Sequence, residues 1–116
     1  MLSDPWRRPT LEDVRYAGEK PDHNMATAPP TAGQFPCCIP AELITERGNS
    51  VSAMTQFIGP RVVTLIHWGL VPIGRARLRL AHDRTELTYL GLIERSIPCG
   101  RGLFRTDFAI ECETGK

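Results

Sequence analysis

The sequence lacks several features by which whole classes of protein are recognised. No apolar run approaches the roughly 20 residues that a membrane-spanning helix needs. The first residues, Met1 to Pro9, contain no apolar segment of the kind found in secretory signals. Internal repeats are absent as well. These absences favour a cytoplasmic location and no membrane partner.

An excess of charge of one sign is also missing. The chain has 14 basic and 13 acidic residues, a net charge of +1, so no long-range field favours nucleic acid as a partner. Lysine is scarce, because 12 of the basic residues are arginine. Residues 59–116 carry 9 basic and 6 acidic side chains, against 5 and 7 in residues 1–58. An arginine-rich second half favours a small anionic ligand over a polyanion.

The four cysteines lack the spacing of a metal site or a redox motif. Cys37 and Cys38 are adjacent, while Cys99 and Cys112 stand alone, without a C-x-x-C pair or a suitably spaced histidine. The pattern predicts free thiols in a cytosolic protein and no bound metal.

A chain of 116 residues makes one small domain at most, and its composition changes near residue 36. Residues 1–36 hold six of the ten prolines and are predicted to form a mostly irregular arm. One short helix is expected over residues 11–17, with Thr10 as its N-cap. Trp6 and Tyr16 are the side chains through which the arm would dock.

Residues 37–116 are predicted to form a small α+β domain: an antiparallel sheet with short N-terminal helices packed on one face. Two helices are expected first, over 40–48 and 51–58, because a proline or serine starts each and glycine ends it. Strands then follow from β-branched or alternating segments. These strands are predicted over 61–68, 75–82, 86–94 and 108–113, the first three as consecutive members of the sheet. A turn at residues 82–85 is predicted to join the second and third of them as a hairpin.

Two features carry candidate chemistry. In Pro98-Cys-Gly-Arg-Gly-Leu-Phe104, two glycines flank an arginine, which suits either a tight turn or a backbone that approaches a carboxylate. Arg75, Arg77 and Arg79 share one face of their predicted strand, which suits either a solvated surface or a ligand cradle.

The order of these segments resembles the chorismate lyase family over residues 38–111. The resemblance lies in Gly48-Asn-Ser-Val-Ser before the first strand, in Arg77-Leu-Arg-Leu-Ala-His-Asp, and in Pro98-Cys-Gly-Arg-Gly-Leu-Phe104. The last is similar to the family's Pro-Leu-Gly-Arg-x-Leu-Phe motif. The same fold also serves as the effector-binding domain of certain repressors.

The resemblance implies a binding site for a small aromatic or pre-aromatic carboxylic acid. Arg77 would hold the carboxylate, helped by the backbone N–H of Val51 at the start of a helix. Cys99, Gly100 and Arg101 would contribute to the substrate pocket.

The resemblance also implies a reaction, the elimination of pyruvate from chorismate to give a hydroxybenzoate. Glu111 would be the acid that faces the ring oxygen, acting with Arg77, and the reaction requires no metal or organic cofactor. The alternative for Glu111 is a surface carboxylate. For His67, which lies among apolar residues, a hydrogen-bonded, half-buried imidazole is favoured over a catalytic base.

Three classes of function follow from these readings. The first is a chorismate-lyase-like enzyme, and the second is a non-catalytic module of the same fold that binds a small acid. The third is a small interaction subunit with a docking arm. Because a small open sheet leaves an edge unpaired, we also expect a homodimer or an arm that folds across the sheet.

Overall fold

The computed structural model describes residues 8–19 and 33–113, and these residues are mostly in β-strands. Within them, one helix, α1 (Leu11–Glu19), precedes seven strands. The strands are β1 (Phe35–Pro36), β2 (Pro40–Thr45), β3 (Ser50–Ile58), β4 (Val62–Trp68), β5 (Gly74–His82), β6 (Thr85–Gly100) and β7 (Leu103–Glu113). In the same two ranges, no helix is long and apolar enough to cross a membrane.

Six of the strands form a closed antiparallel barrel. Their order is β3-β2-β5-β6-β7-β4, and β4 pairs back with β3 to complete the ring, while β1 pairs with the last two residues of β3. The prediction of an α+β domain with an open sheet and several packed helices is therefore wrong. Closure pairs the strand edges with one another, so the argument for a dimer from an open sheet edge is lost.

The two helices predicted over 40–48 and 51–58 are strands in the structure. In β2, Ala41, Leu43 and Thr45 are buried and alternate with more exposed residues, the period of a strand with one face in the core. In β3, Val51 and Ala53 face the same core, and β2 and β3 pair along five residues each. The apolar spacing of this segment fits a helix as well as a strand, and pairing with β2 and β4 selects the strand.

The hairpin predicted at residues 82–85 is confirmed. Asp83 and Arg84 have φ of 52° and 69°, as the two central residues of a type I′ turn require, and β5 pairs with β6 from Gly74 to His82. The prediction that the strand over 61–68 is the neighbour of the strand over 75–82 is wrong, because β4 pairs with β3 and β7.

The long strand β6 turns the sheet into a barrel. Its first part pairs with β5, and it pairs with β7 along most of its length. Three register shifts interrupt the β6–β7 pairing, and such bulges bend a strand and increase its twist. The curvature brings β7 against β4, which closes the ring.

Two apolar clusters stabilise the molecule. The first fills the barrel and contains Ala41, Leu43, Val51, Ala53, Val63, Leu65, Val71, Ala76, Leu78, Leu80, Ile93 and Phe108. The second lies between α1 and the outer face of the barrel and contains Val14, Ala17, Met54, Ile66, Trp68, Cys99 and Leu103.

The helix predicted over residues 11–17 is confirmed, together with its N-cap. The backbone N–H of Thr10 donates to Asp13 Oδ2 at 2.9 Å, and the N–H of Asp13 donates to Thr10 Oγ1 at 3.1 Å, a reciprocal pair of capping bonds. Both α1 and β1 belong to the proposed arm of residues 1–36. The prediction that the arm is mostly irregular falls largely on residues 1–7 and 20–32, which lie outside the described residues, as does Trp6.

Candidate functional site

A groove with a volume of 470 Å³ lies on the outer face of the barrel. Strands β2, β5, β6 and β7 contribute to it, together with the turn that follows β2. The groove is lined by Ile44, Thr45, Glu46, Gly48, Arg75, Ala76, Arg77, Leu90, Gly91, Glu111 and Cys112. It is open to solvent along one side.

A row of four residues in register crosses the groove. Ile44 on β2 lies opposite Arg77 on β5, Arg77 lies opposite Leu90 on β6, and Leu90 lies opposite Cys112 on β7. Because neighbouring strands are about 4.8 Å apart, Ile44 and Leu90 flank Arg77 closely. The side chain of Arg77 therefore leaves the sheet between two aliphatic residues.

The three arginines of β5 differ in their partners. Arg75 Nη1 lies 3.4 Å from Glu111 Oε1, and Arg79 pairs with Glu42 as well as approaching Glu86 at 4.0 Å. Among the residues that the structure describes, no carboxylate forms an ion pair with Arg77. Arg77 is thus the cation of this strand that is open to an external anion.

The ion pair between Arg75 and Glu111 contributes little to the stability of the fold. The two side chains are 67% and 43% exposed, and solvent screens pairs of this kind. Its main consequence is local, because it neutralises Arg75 next to Arg77. The lining also includes the carboxylate of Glu46, so the groove contains two residues of each charge.

The structure brings together two of the residues that the sequence singled out. Arg77 and Glu111 both line the groove, although they lie on β5 and β7, which are separated by β6. The alternation of the β5 face is as predicted, since Ala76, Leu78 and Leu80 are buried in the barrel.

Val51 lies elsewhere, in the middle of the fold. It is on β3 opposite Leu43, and its side chain is buried in the barrel. The prediction of a helix that starts at this residue is wrong, so its backbone N–H belongs to no helix N-terminus. The anion-binding argument based on a helix dipole no longer applies.

The Cys99-Gly100-Arg101 segment also lies away from the groove, at the end of β6 and the start of the turn that leads to β7. Cys99 is buried beneath α1, and the guanidinium of Arg101 lies 3.9 Å from the ring centroid of Tyr16. A Cβ built on Gly100 would lie 2.7 Å from the Tyr16 hydroxyl, so glycine leaves room for that side chain. This turn receives the helix, in agreement with the docking of Tyr16 expected from the sequence.

His67 is fully buried in the barrel, more deeply than the half-buried imidazole expected. Its Nδ1 lies 3.4 Å from the Trp68 carbonyl oxygen, and its Nε2 is hydrogen-bonded to Thr106 Oγ1, which lies 3.0 Å from Ser96 Oγ. A carbonyl can only accept, so Nδ1 carries the proton and Nε2 accepts from Thr106. Burial lowers the pKa of His67 from 6.5 to about 4, despite hydrogen bonds to the backbone. His67 is a neutral structural residue.

Sequence reasoning missed the apolar part of the groove, Ile44 and Leu90, and also Glu46. The signal for Ile44 is the alternation of Ala41, Leu43 and Thr45, which places Ile44 on the opposite, outward face of a strand.

Across residues 8–19 and 33–113, no group of three or more histidine, cysteine, aspartate or glutamate side chains is arranged to hold a metal ion. All four cysteines are free. No protein-family model matches the chain, and no curated protein sequence is significantly similar to it.

Proposed function

We propose that this protein binds a small aromatic or pre-aromatic carboxylic acid in the groove, without changing it chemically. Arg77 holds the carboxylate, and the apolar body of the ligand lies against Ile44 and Leu90. The observation that supports this proposal most directly is that Arg77 has no acidic partner among the described residues, whereas Arg75 and Arg79 do.

The chemistry of the groove fits such a ligand. A guanidinium offers two parallel N–H donors to a carboxylate, and aliphatic neighbours exclude water from part of that contact. The volume of 470 Å³ lies within the range of small-molecule sites. An exposed arginine gives modest affinity, because solvent competes for both partners.

The test is binding of benzoate and 4-hydroxybenzoate to the full chain, followed by calorimetry or by NMR shifts of groove residues. Trp68 fluorescence is a poor reporter, since this residue is buried beneath α1. We expect Arg77→Ala to weaken binding about tenfold, at the low end for hydrogen bonds to charged groups, and Arg77→Lys to restore part of the loss.

The matched control is Arg79→Ala, which removes an arginine from the same strand face but outside the groove. We expect affinity to change less than about twofold, the scale of a screened surface charge. Equal losses for Arg77→Ala and Arg79→Ala, or no binding by either acid, would contradict the proposal.

A second candidate is the chorismate-lyase-like reaction, and it is favoured by the presence of Arg77 and Glu111 in one groove. Two observations count against it: Glu111 is already engaged by Arg75, and the groove is open, whereas elimination benefits from a site that excludes water. Release of pyruvate from chorismate, lost in Glu111→Gln, is the result that would establish this candidate.

A cytoplasmic location is part of the proposal. It is supported by the four free thiols, since thiols stay reduced in that compartment. A homodimer remains a prediction, which the mass of the protein in light scattering would test.

A further inference from the structure

We infer that the groove selects acids with a single negative charge, and that Glu111 and Glu46 are the residues that exclude dicarboxylates. This inference rests on the proposed function, because it concerns the same groove and specifies which acids enter it.

The formal charges of the groove lining cancel before a ligand arrives. Arg75 and Arg77 are balanced by Glu46 and Glu111, and Arg75 is already paired with Glu111 at 3.4 Å. A first carboxylate therefore takes the single available cation, Arg77. Once it is bound, the groove carries a net charge of −1.

A second carboxylate on the same ligand has no cation left to bind in the groove. Arg75 can bind this second carboxylate only by releasing Glu111, and the carboxylate of Glu111 then faces the ligand. Like charges brought together are a means of rejecting the wrong partner. An uncharged ring meets no such penalty, because the row that crosses the groove continues with Ile44, Leu90 and Cys112.

The exposure of the Arg75 and Glu111 side chains determines how strongly the groove discriminates between the two kinds of acid. Arg75 and Glu111 are both substantially exposed, so repulsion at this site is screened and we expect a discrimination of about three- to tenfold. The discrimination should shrink as salt is added, which distinguishes charge repulsion from a steric effect of the second carboxylate.

The experiment compares benzoate with terephthalate, which differ by one carboxylate on the opposite side of the ring. Dissociation constants are measured at low ionic strength for the unmodified protein, Glu111→Gln and Glu46→Gln. We expect the unmodified protein to bind benzoate about three- to tenfold more tightly, and Glu111→Gln to abolish most of that preference. Glu46→Gln should reduce the preference by a smaller factor.

Glu86→Gln is the matched control, because Glu86 is an exposed glutamate near Arg79 that does not line this groove. It should leave the preference for benzoate unchanged. Circular dichroism on each variant confirms that the barrel is folded.

The outcomes separate the inference from the proposed function. If benzoate binding depends on Arg77 but terephthalate binds equally well, or if Glu111→Gln leaves the preference unchanged, the inference is overturned and the proposed function stands. If neither acid binds, both are overturned. Confirmation would count against the lyase candidate, because its two products are both carboxylic acids and its substrate therefore carries two carboxylates.

Discussion

Arg75, Arg77 and Arg79 are equivalent in the sequence pattern, yet each has a different environment. Glu111 on β7 engages Arg75, and Glu42 on β2 engages Arg79. Arg77 lies between Ile44 and Leu90. At the scale of single residues, the function proposed for this protein depends on which neighbours the adjacent strands supply.

His67 should make the stability of the protein depend on pH. Its pKa is lowered to about 4 in the folded state by burial, so the unfolded chain takes up a proton first as the pH falls below about 6.5. The stabilisation by neutral His67 is complete above that pH, falls by about 2 kcal/mol at pH 5, and by about 3 kcal/mol at pH 4. Urea unfolding at a series of pH values measures this loss.

The control for this pH dependence is His67→Gln, which does not titrate in the range. The variant should be less stable at neutral pH, because it disturbs a buried hydrogen-bond network, but it should lose less stability between pH 7 and pH 5. Parallel losses in the two proteins would contradict the assignment to His67.

Gly91→Ala should destabilise the barrel. A Cβ at this position would lie 2.0 Å from the Ala109 carbonyl oxygen and 2.9 Å from Phe108 Cζ, so β6 and β7 would have to separate. We expect a loss of about 2–3 kcal/mol in the free energy of unfolding, the usual cost of overpacking. Gly48→Ala is the comparison: it meets no atom within 4 Å but has φ of +91°, so backbone strain of about 1–2 kcal/mol is its only expected cost.

At the scale of elements, α1 is a helix that depends on its contact with the barrel. Nine residues are too few for a stable isolated helix, and Ala17 is completely buried against the outer face of the barrel. The helix therefore protects the apolar cluster beneath it, which includes Cys99.

Ala17→Asp should detach α1 while the barrel stays folded, because it places a carboxylate in an apolar contact. Cys99 is 1% exposed in the intact protein, and its rate of alkylation, read from peptide masses, should rise by at least tenfold, a change of about 1.4 kcal/mol in local opening. Arg15→Asp, on the exposed face of the same helix, is the control and should leave the rate nearly unchanged. A slow rate in both variants would show that α1 does not cover Cys99.

At the scale of the whole molecule, the resistance of each strand to local opening should depend on how deeply it is buried and on whether it is paired on both sides. From Val63 to Trp68, every residue of β4 is buried, and β4 pairs with both β3 and β7. By contrast, β1 has two residues and pairs on one side only. We expect amide exchange to be slowest in β4 and at least about a hundredfold faster in β1, because local opening requires less disruption there. Comparable rates in the two strands would argue against a closed barrel.

Several local features could be predicted from the sequence because short-range interactions determine them. Thr10 and Asp13 cap α1 through bonds between neighbours in the chain. Asp83 and Arg84 form the turn between β5 and β6, and strict alternation places the three arginines of β5 outside the barrel. Each of these depends on residues within a few positions of one another.

The sequence by itself determined the helix cap, the β5–β6 hairpin and the outward face of arginines; the tertiary structure decided the rest. Residues 51–58 have an apolar spacing that fits both helix and strand, and hydrogen bonds to β2 and β4 select the strand. Barrel closure requires β7 to meet β4, and the groove requires Glu111 to lie beside Arg75. These contacts join residues far apart in the chain, and their free energy is available only after the barrel has formed, so no local pattern encodes them.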